Sequence, residues 1–162
     1  MATVYDIENL LSDIRAFLVA NLNTKLSAID AEKNDGITLA QVNSSAFLDQ
    51  TAGDHEMMNY DPFVMYGIEE APETQAVGPG TITPYILFVV VALTDTANDP
   101  NVYKRLLRYQ RAFRELFEAN WANVGGSVKF KVSGSVPIPV NLLDKKRISK
   151  VVGVTLSVAL AS

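Results

Sequence analysis

The stretch TPYILFVVVALTD, residues 83–95, constrains the fold more than any other part of the chain. From Ile86 to Leu93 it carries eight apolar residues, β-branched and aromatic ones prominent, with no polar alternation. A strand with one wet face alternates, so this pattern demands burial on both faces and predicts a central place in a sheet. Eight residues also fall far short of the roughly 20 that cross a bilayer as a helix.

The neighbouring segments supply partners for that strand. FVMYGIEE, residues 63–70, is strand-like and is followed by the turn-forming APETQAVGPG. The simplest connection is a long antiparallel hairpin around residues 63–95. Ahead of it, Ile7, Leu10, Leu11, Ile14, Phe17, Leu18, Leu22, Leu26 and Ile29 recur at helical spacing. They predict an amphipathic helix over residues 4–31, opened by a capping box of Thr3 and Asp6 and ended by Asn34-Asp35-Gly36. Residues 37–61 read mostly as loop, with room for a short strand or helical turn near Val42 to Leu48.

Asp99-Pro100 predicts a second helix, an N-cap followed by proline where the missing N–H is harmless. It runs to about Trp121, with Val102, Leu106, Tyr109, Phe113, Leu116 and Phe117 on one half of the cylinder and Lys104, Arg108, Arg111, Glu115 and Glu118 on the other. SVKFKVSGSV alternates as a strand with one wet face, PIPVNLLDKKR is a connection, and Ile148 to Leu160 is a long final strand. The expected class is α+β: a mainly antiparallel sheet of about four or five strands with two helices packed on one face. The order is α-β-β-α-β-β within a single domain of 162 residues.

Composition sets the class of function. The start MATVYDIENLL has acidic residues where a signal peptide needs a basic and then an apolar segment, so the expectation is a soluble cytoplasmic product. The chain has no cysteine, which excludes disulfides and thiolate metal sites. Its only histidine, His55, sits among Asp54, Glu56 and Asp61. Without a second histidine or an orienting helical or hairpin spacing, that cluster reads as solvated loop rather than a metal site. No Gly-x-Ser-x-Gly accompanies His55, and the glycines of VGPGT and NVGGS lack phosphate-loop spacing. The expectation is no catalytic residue, no metal and no cofactor.

Charge is the more informative signal. Residues 1–100 hold three basic against 15 acidic residues, a net of −12. Residues 101–162 hold 11 basic against three acidic, a net of +8. Either the halves neutralise each other inside one fold, or the acidic face of one copy meets the basic face of the next and a ring closes head to tail. The candidate interface residues are Lys104, Arg105, Arg108 and Arg111 on the second helix and the cluster Lys145, Lys146, Arg147 and Lys150 before the last strand. Cations near a helix N-terminus are disfavoured by about 0.3 to 1 kcal/mol each, so local helix stability does not account for the first group. An acidic neighbour would. Nucleic-acid binding is the alternative, since clustered Lys and Arg contact phosphates, although base-reading aromatics are not evident.

The element order, with Pro62 leading into an aliphatic strand through Val64 to the aromatic Tyr66 and then a longer apolar strand, resembles the tail terminator (tail completion) proteins of tailed bacteriophages. That resemblance implies a structural virion protein forming a homo-oligomeric ring, a hexamer, which caps the tail tube, stops its growth and joins the tail to the neck. It implies as partners the tail tube protein, a neck or head-completion protein, the tail sheath, and genomic DNA passing through the ring without sequence-specific binding. It implies no membrane. The place would be the virion tail, after assembly in the host cytoplasm.

Overall fold

The computed structural model describes residues 6–57, 59–70, 75–76, 81–94, 100–120, 128–134, 142–144 and 147–161. The first helix, α1, spans Ile7–Lys33. Its N-cap is Asp6, whose carboxylate accepts from the Asn9 N–H (3.0 Å) while the Asn9 side chain accepts from the Asp6 N–H (3.2 Å). The capping box therefore lies one turn later than the sequence suggested, and Asn rather than Glu or Gln closes it; Thr3 is outside the described residues. Leu10, Ile14, Leu18, Leu22, Leu26 and Ile29 form its buried stripe. Asn34, left-handed at φ 44°, ends the helix, and Gly36 at φ 78° continues the reversal.

The segment expected to be loop contains two short elements. Strand β1, Phe47–Asp49, pairs parallel to β2, Phe63–Glu70, matching Phe47 with Val64 and Asp49 with Tyr66. Between them a four-residue helix, α2, covers Asp54–Met57 and includes His55 in its backbone. Among the described residues no group of three or more His, Asp or Glu side chains is placed to hold a metal. The two-residue β3, Gln75–Ala76, pairs with β4, Thr81–Thr94.

Helix α3 spans Val102–Asn120, after Asn101 accepts its first turn's bond from Arg105 N–H (3.0 Å); Asp99 and Trp121 lie outside the described residues. Strand β5 covers Val128–Gly134, β6 Leu142–Asp144 and β7 Arg147–Ala161. The connection expected before the last strand thus contains β6, which pairs with β7.

The class is α+β, with a mixed sheet. Its path runs β1-β2-β4-β7-β5, with β3 beside β4 and β6 beside β7. Strand β4 is central, paired with β2 on one side and with β7 over 13 register positions on the other. Cross-strand partners share a face. Val64, Tyr66, Leu87, Val89, Val91, Val152, Val154 and Leu156 fall on one side by register and all are buried. Helices α1 and α3 pack against each other above that side, with Phe17 and Phe117 in ring contact at 5.5 Å. Gln110 of α3 donates to the Gly153 carbonyl in the middle of β7 (3.1 Å). No helix among the described residues is long and apolar enough to cross a membrane.

Candidate functional site

The cationic helix meets its acidic partner within the chain. Arg108 is buried, not solvated as its place on the polar half of the helix predicted. Its guanidinium donates to the Ile37 carbonyl (3.0 Å) and forms an ion pair with the Asp35 carboxylate. The reversal at Asn34 and Gly36 folds residues 35–42 back over α3, and side chains fasten the segment there. Asp30 accepts from Leu39 N–H (2.8 Å), Tyr109 hydroxyl donates to the Ala40 carbonyl, and Asn23 bonds both the N–H and the carbonyl of Val42. Arg108 is the charge that this returning loop covers. Its hydrogen bond holds the Asp35 carboxyl below the usual carboxylate range.

Arg111 is also engaged internally. It grips Glu32 of α1 with both terminal nitrogens (2.8 and 2.6 Å) and reaches Glu115 one turn along its own helix (2.5 Å). Lys25 of α1 pairs with the other Glu115 oxygen. This network ties α1 to α3 with bidentate geometry, the favourable form of an arginine–carboxylate contact. The Arg111 hydrogen bonds take the Glu32 carboxyl from 4.5 to about 2.

The remaining cations are placed differently. Lys104 is exposed. Arg105 lines a cleft of about 460 Å³ with Asp61, Thr94, Val102 and Tyr109. Asp61 there accepts from Thr94 N–H (3.0 Å), and burial pushes the Tyr109 hydroxyl well above its ordinary range, so it stays protonated. Arg147 opens β7 opposite Asp144. Lys150 sits opposite Leu93, which lines the same cleft as Arg105, so these two cations lie near one end of β4. Lys145 and Lys146 lie outside the described residues.

Two apolar surfaces did not figure among the sequence-based candidates. On α3, Tyr103 and Leu107 are 59% and 40% exposed, one turn apart on the side away from the core. On the sheet, the side opposite the helices carries the register rows Phe63–Ala92–Val151, Met65–Val90–Gly153 and Gly67–Phe88–Thr155. No charged residue occurs in these rows; Phe63, Ala92, Gly67 and Gly153 are buried and Met65, Phe88, Val90 and Val151 half-buried. The next row, Glu70–Ile86–Ser157–Lys131, brings charges at both ends. The unbroken apolar run of β4 was the visible signal for this second face; the spacing of Tyr103 and Leu107 was the signal for the other.

No protein-family model and no curated protein matches this chain.

Proposed function

We propose that this chain is a structural assembly subunit of the tail-terminator kind, which forms a homo-oligomeric ring that caps a phage tail tube, halts its growth and joins tail to neck. The observation that carries the reading is the central strand β4, apolar on both faces, with α1 and α3 packed over one of them. The second face is only half-buried at Met65, Phe88 and Val90, and association can complete it. The long elements α1, β2, β4, α3, β5 and β7, with β2 paired antiparallel to β4, support the resemblance on which tube, neck and sheath are named as partners.

Nucleic-acid binding through Lys104, Arg105, Arg108 and the Lys145 to Lys150 cluster is the weaker reading, because Arg108 is spent on Asp35 and Ile37. DNA passing through the ring needs no specific contact. The test is capping: purified chain added to elongating tail tubes should stop lengthening and leave a ring at one tube end under negative-stain microscopy. Tubes that lengthen unchanged and end bare would refute it.

A further inference from the structure

Asp35-Gly36 is the one aspartyl–glycyl pair in the chain, and no Asn-Gly occurs. Such a pair has a chemistry of its own. The glycine nitrogen, unshielded by a side chain, attacks the preceding carboxyl carbon and closes a five-membered succinimide. The fold presents this pair in the open, at the reversal that carries residues 35–42 back over α3. Asp35 and Gly36 are both exposed. Gly36 has φ 78°, and the place where its side chain would stand has no atom within 4 Å. Asp35 Oδ1 accepts from the Ile37 N–H (3.3 Å), so the carboxyl folds back across the Gly36 peptide in an Asx turn. That turn holds Cγ beside the nitrogen that attacks it. The other oxygen, Oδ2, is the partner of Arg108.

We propose that Asp35–Gly36 is a site of spontaneous conversion to isoaspartate, restrained by Arg108, and that conversion releases the loop over residues 35–42 from α3. In the first step the Gly36 nitrogen bonds to Asp35 Cγ. The protonated carboxyl gives up its hydroxyl, which leaves as water with the amide proton. Water then opens the ring. Addition at Cγ restores aspartate, whereas addition at the Asp35 main-chain carbonyl breaks the original peptide bond and leaves the chain running through Cγ. One water leaves and one enters, so mass is unchanged and no oxidant or cofactor takes part.

Arg108 opposes the first step. Its hydrogen bond holds the carboxyl below the ordinary carboxylate range, and an ionised carboxylate has no hydroxyl to lose. It also fixes the Ile37 carbonyl (3.0 Å), which limits movement of the Gly36 peptide. Conversion undoes what Arg108 holds. Isoaspartate adds a methylene to the main chain within the reversal and turns the carboxylate into a branch on Cα. The loop then no longer matches its other fastenings, Leu39 N–H on Asp30 (2.8 Å), Val42 N–H on Asn23 (2.8 Å) and the Ala40 carbonyl on Tyr109. Arg108, buried, loses the carboxylate that compensates it.

The test ages the whole chain for weeks at neutral pH and physiological temperature, beside a free peptide of residues 32–40. Peptide mapping with electron-transfer fragmentation distinguishes the two forms of residue 35. Isoaspartate should accumulate there in the folded chain, several-fold more slowly than in the peptide. Asp35→Glu, whose ring would need six members, should show none. Arg108→Lys, which cannot hold Asp35 and Ile37 together, should convert several-fold faster than the parent; if it loses the parent's circular dichroism, the parent-to-peptide ratio makes the same comparison. In the converted fraction, hydrogen exchange at the Leu39 and Val42 amides should rise several-fold. A folded chain that stays aspartyl while the peptide converts would overturn the site. Equal rates in the folded parent and its comparison would overturn the restraint by Arg108. Isoaspartate with unchanged exchange at Leu39 and Val42 would overturn the release of the loop.

Discussion

Arg108 of α3 and Asp35, one residue beyond the cap of α1, form an ion pair across 73 positions of sequence. Arg108 is 8% exposed and also holds the Ile37 carbonyl, while the Asp35 side chain remains 39% exposed. The arginine is thus the buried partner, and the loop over residues 35–42 depends on it. Arg108→Ala should destabilise the fold by about 1.5–3 kcal/mol, the cost of a lost charged hydrogen bond with a bared carbonyl, read by urea denaturation. Arg108→Glu should cost more, since it sets a second carboxylate against Asp35. On the polar half of the helix, where the sequence alone places it, Arg108 would tolerate this reversal; its burial removes that expectation.

The Arg111 network predicts a pH dependence. Its hydrogen bonds depress the Glu32 carboxyl from 4.5 to about 2, and those of Lys25 and Arg111 lower Glu115. A carboxyl depressed by folding contributes stability that is present above its unfolded value and lost as pH falls through the folded one. The contribution should hold above about pH 4.5 and fade toward pH 2. These side chains are partly exposed, so screening keeps it small. Denaturation of the parent and of Arg111→Met at stepped pH should show a stability difference at neutral pH that shrinks through this window. A difference independent of pH would separate Arg111 from the titration.

Gly153 marks a close approach of β7 to β4. A Cβ at this position would lie 2.2 Å from the Val89 carbonyl oxygen and 2.8 Å from the Val90 Cα, both backbone atoms that cannot rotate away. Gly153→Ala should therefore force the central strand pair apart and cost about 1–3 kcal/mol. Thermal melting against Gly36→Ala, a strained but open position, separates the clash from a general glycine effect.

Phe113 is fully buried on the core side of α3. Phe113→Ala should cost about 3–5 kcal/mol in chemical denaturation. A loss below 1 kcal/mol, about the effect of an exposed site, would mean that the core relaxes around the gap.

The long elements were readable because each carries a repeat that one segment suffices to define. Leu10 to Ile29 mark α1, Val102 to Phe117 mark α3, and the unbroken run of β4 marks a strand with two apolar faces. Arg108 was not readable. A helical wheel places it beside Lys104 and Arg111, and only the left-handed turn at Asn34 and Gly36 brings Ile37 and Asp35 back to cover it. Strand β1 was missed in detail because three residues carry too little periodicity, and β6 because it takes its place from β7. The acidic and basic halves were read correctly as a division, but sequence could not tell a contact between copies from one inside the subunit. Glu32 and Asp35 show the internal pairing, with Arg111 and Arg108.

The central claim is that the chain assembles into a closed ring on a tail tube, and mass is its most direct test. Sedimentation velocity and negative-stain microscopy of the chain, free and bound to tail tubes, should give a closed species near six times 17.7 kDa. A monomer in both settings, at every concentration and salt, would contradict the account.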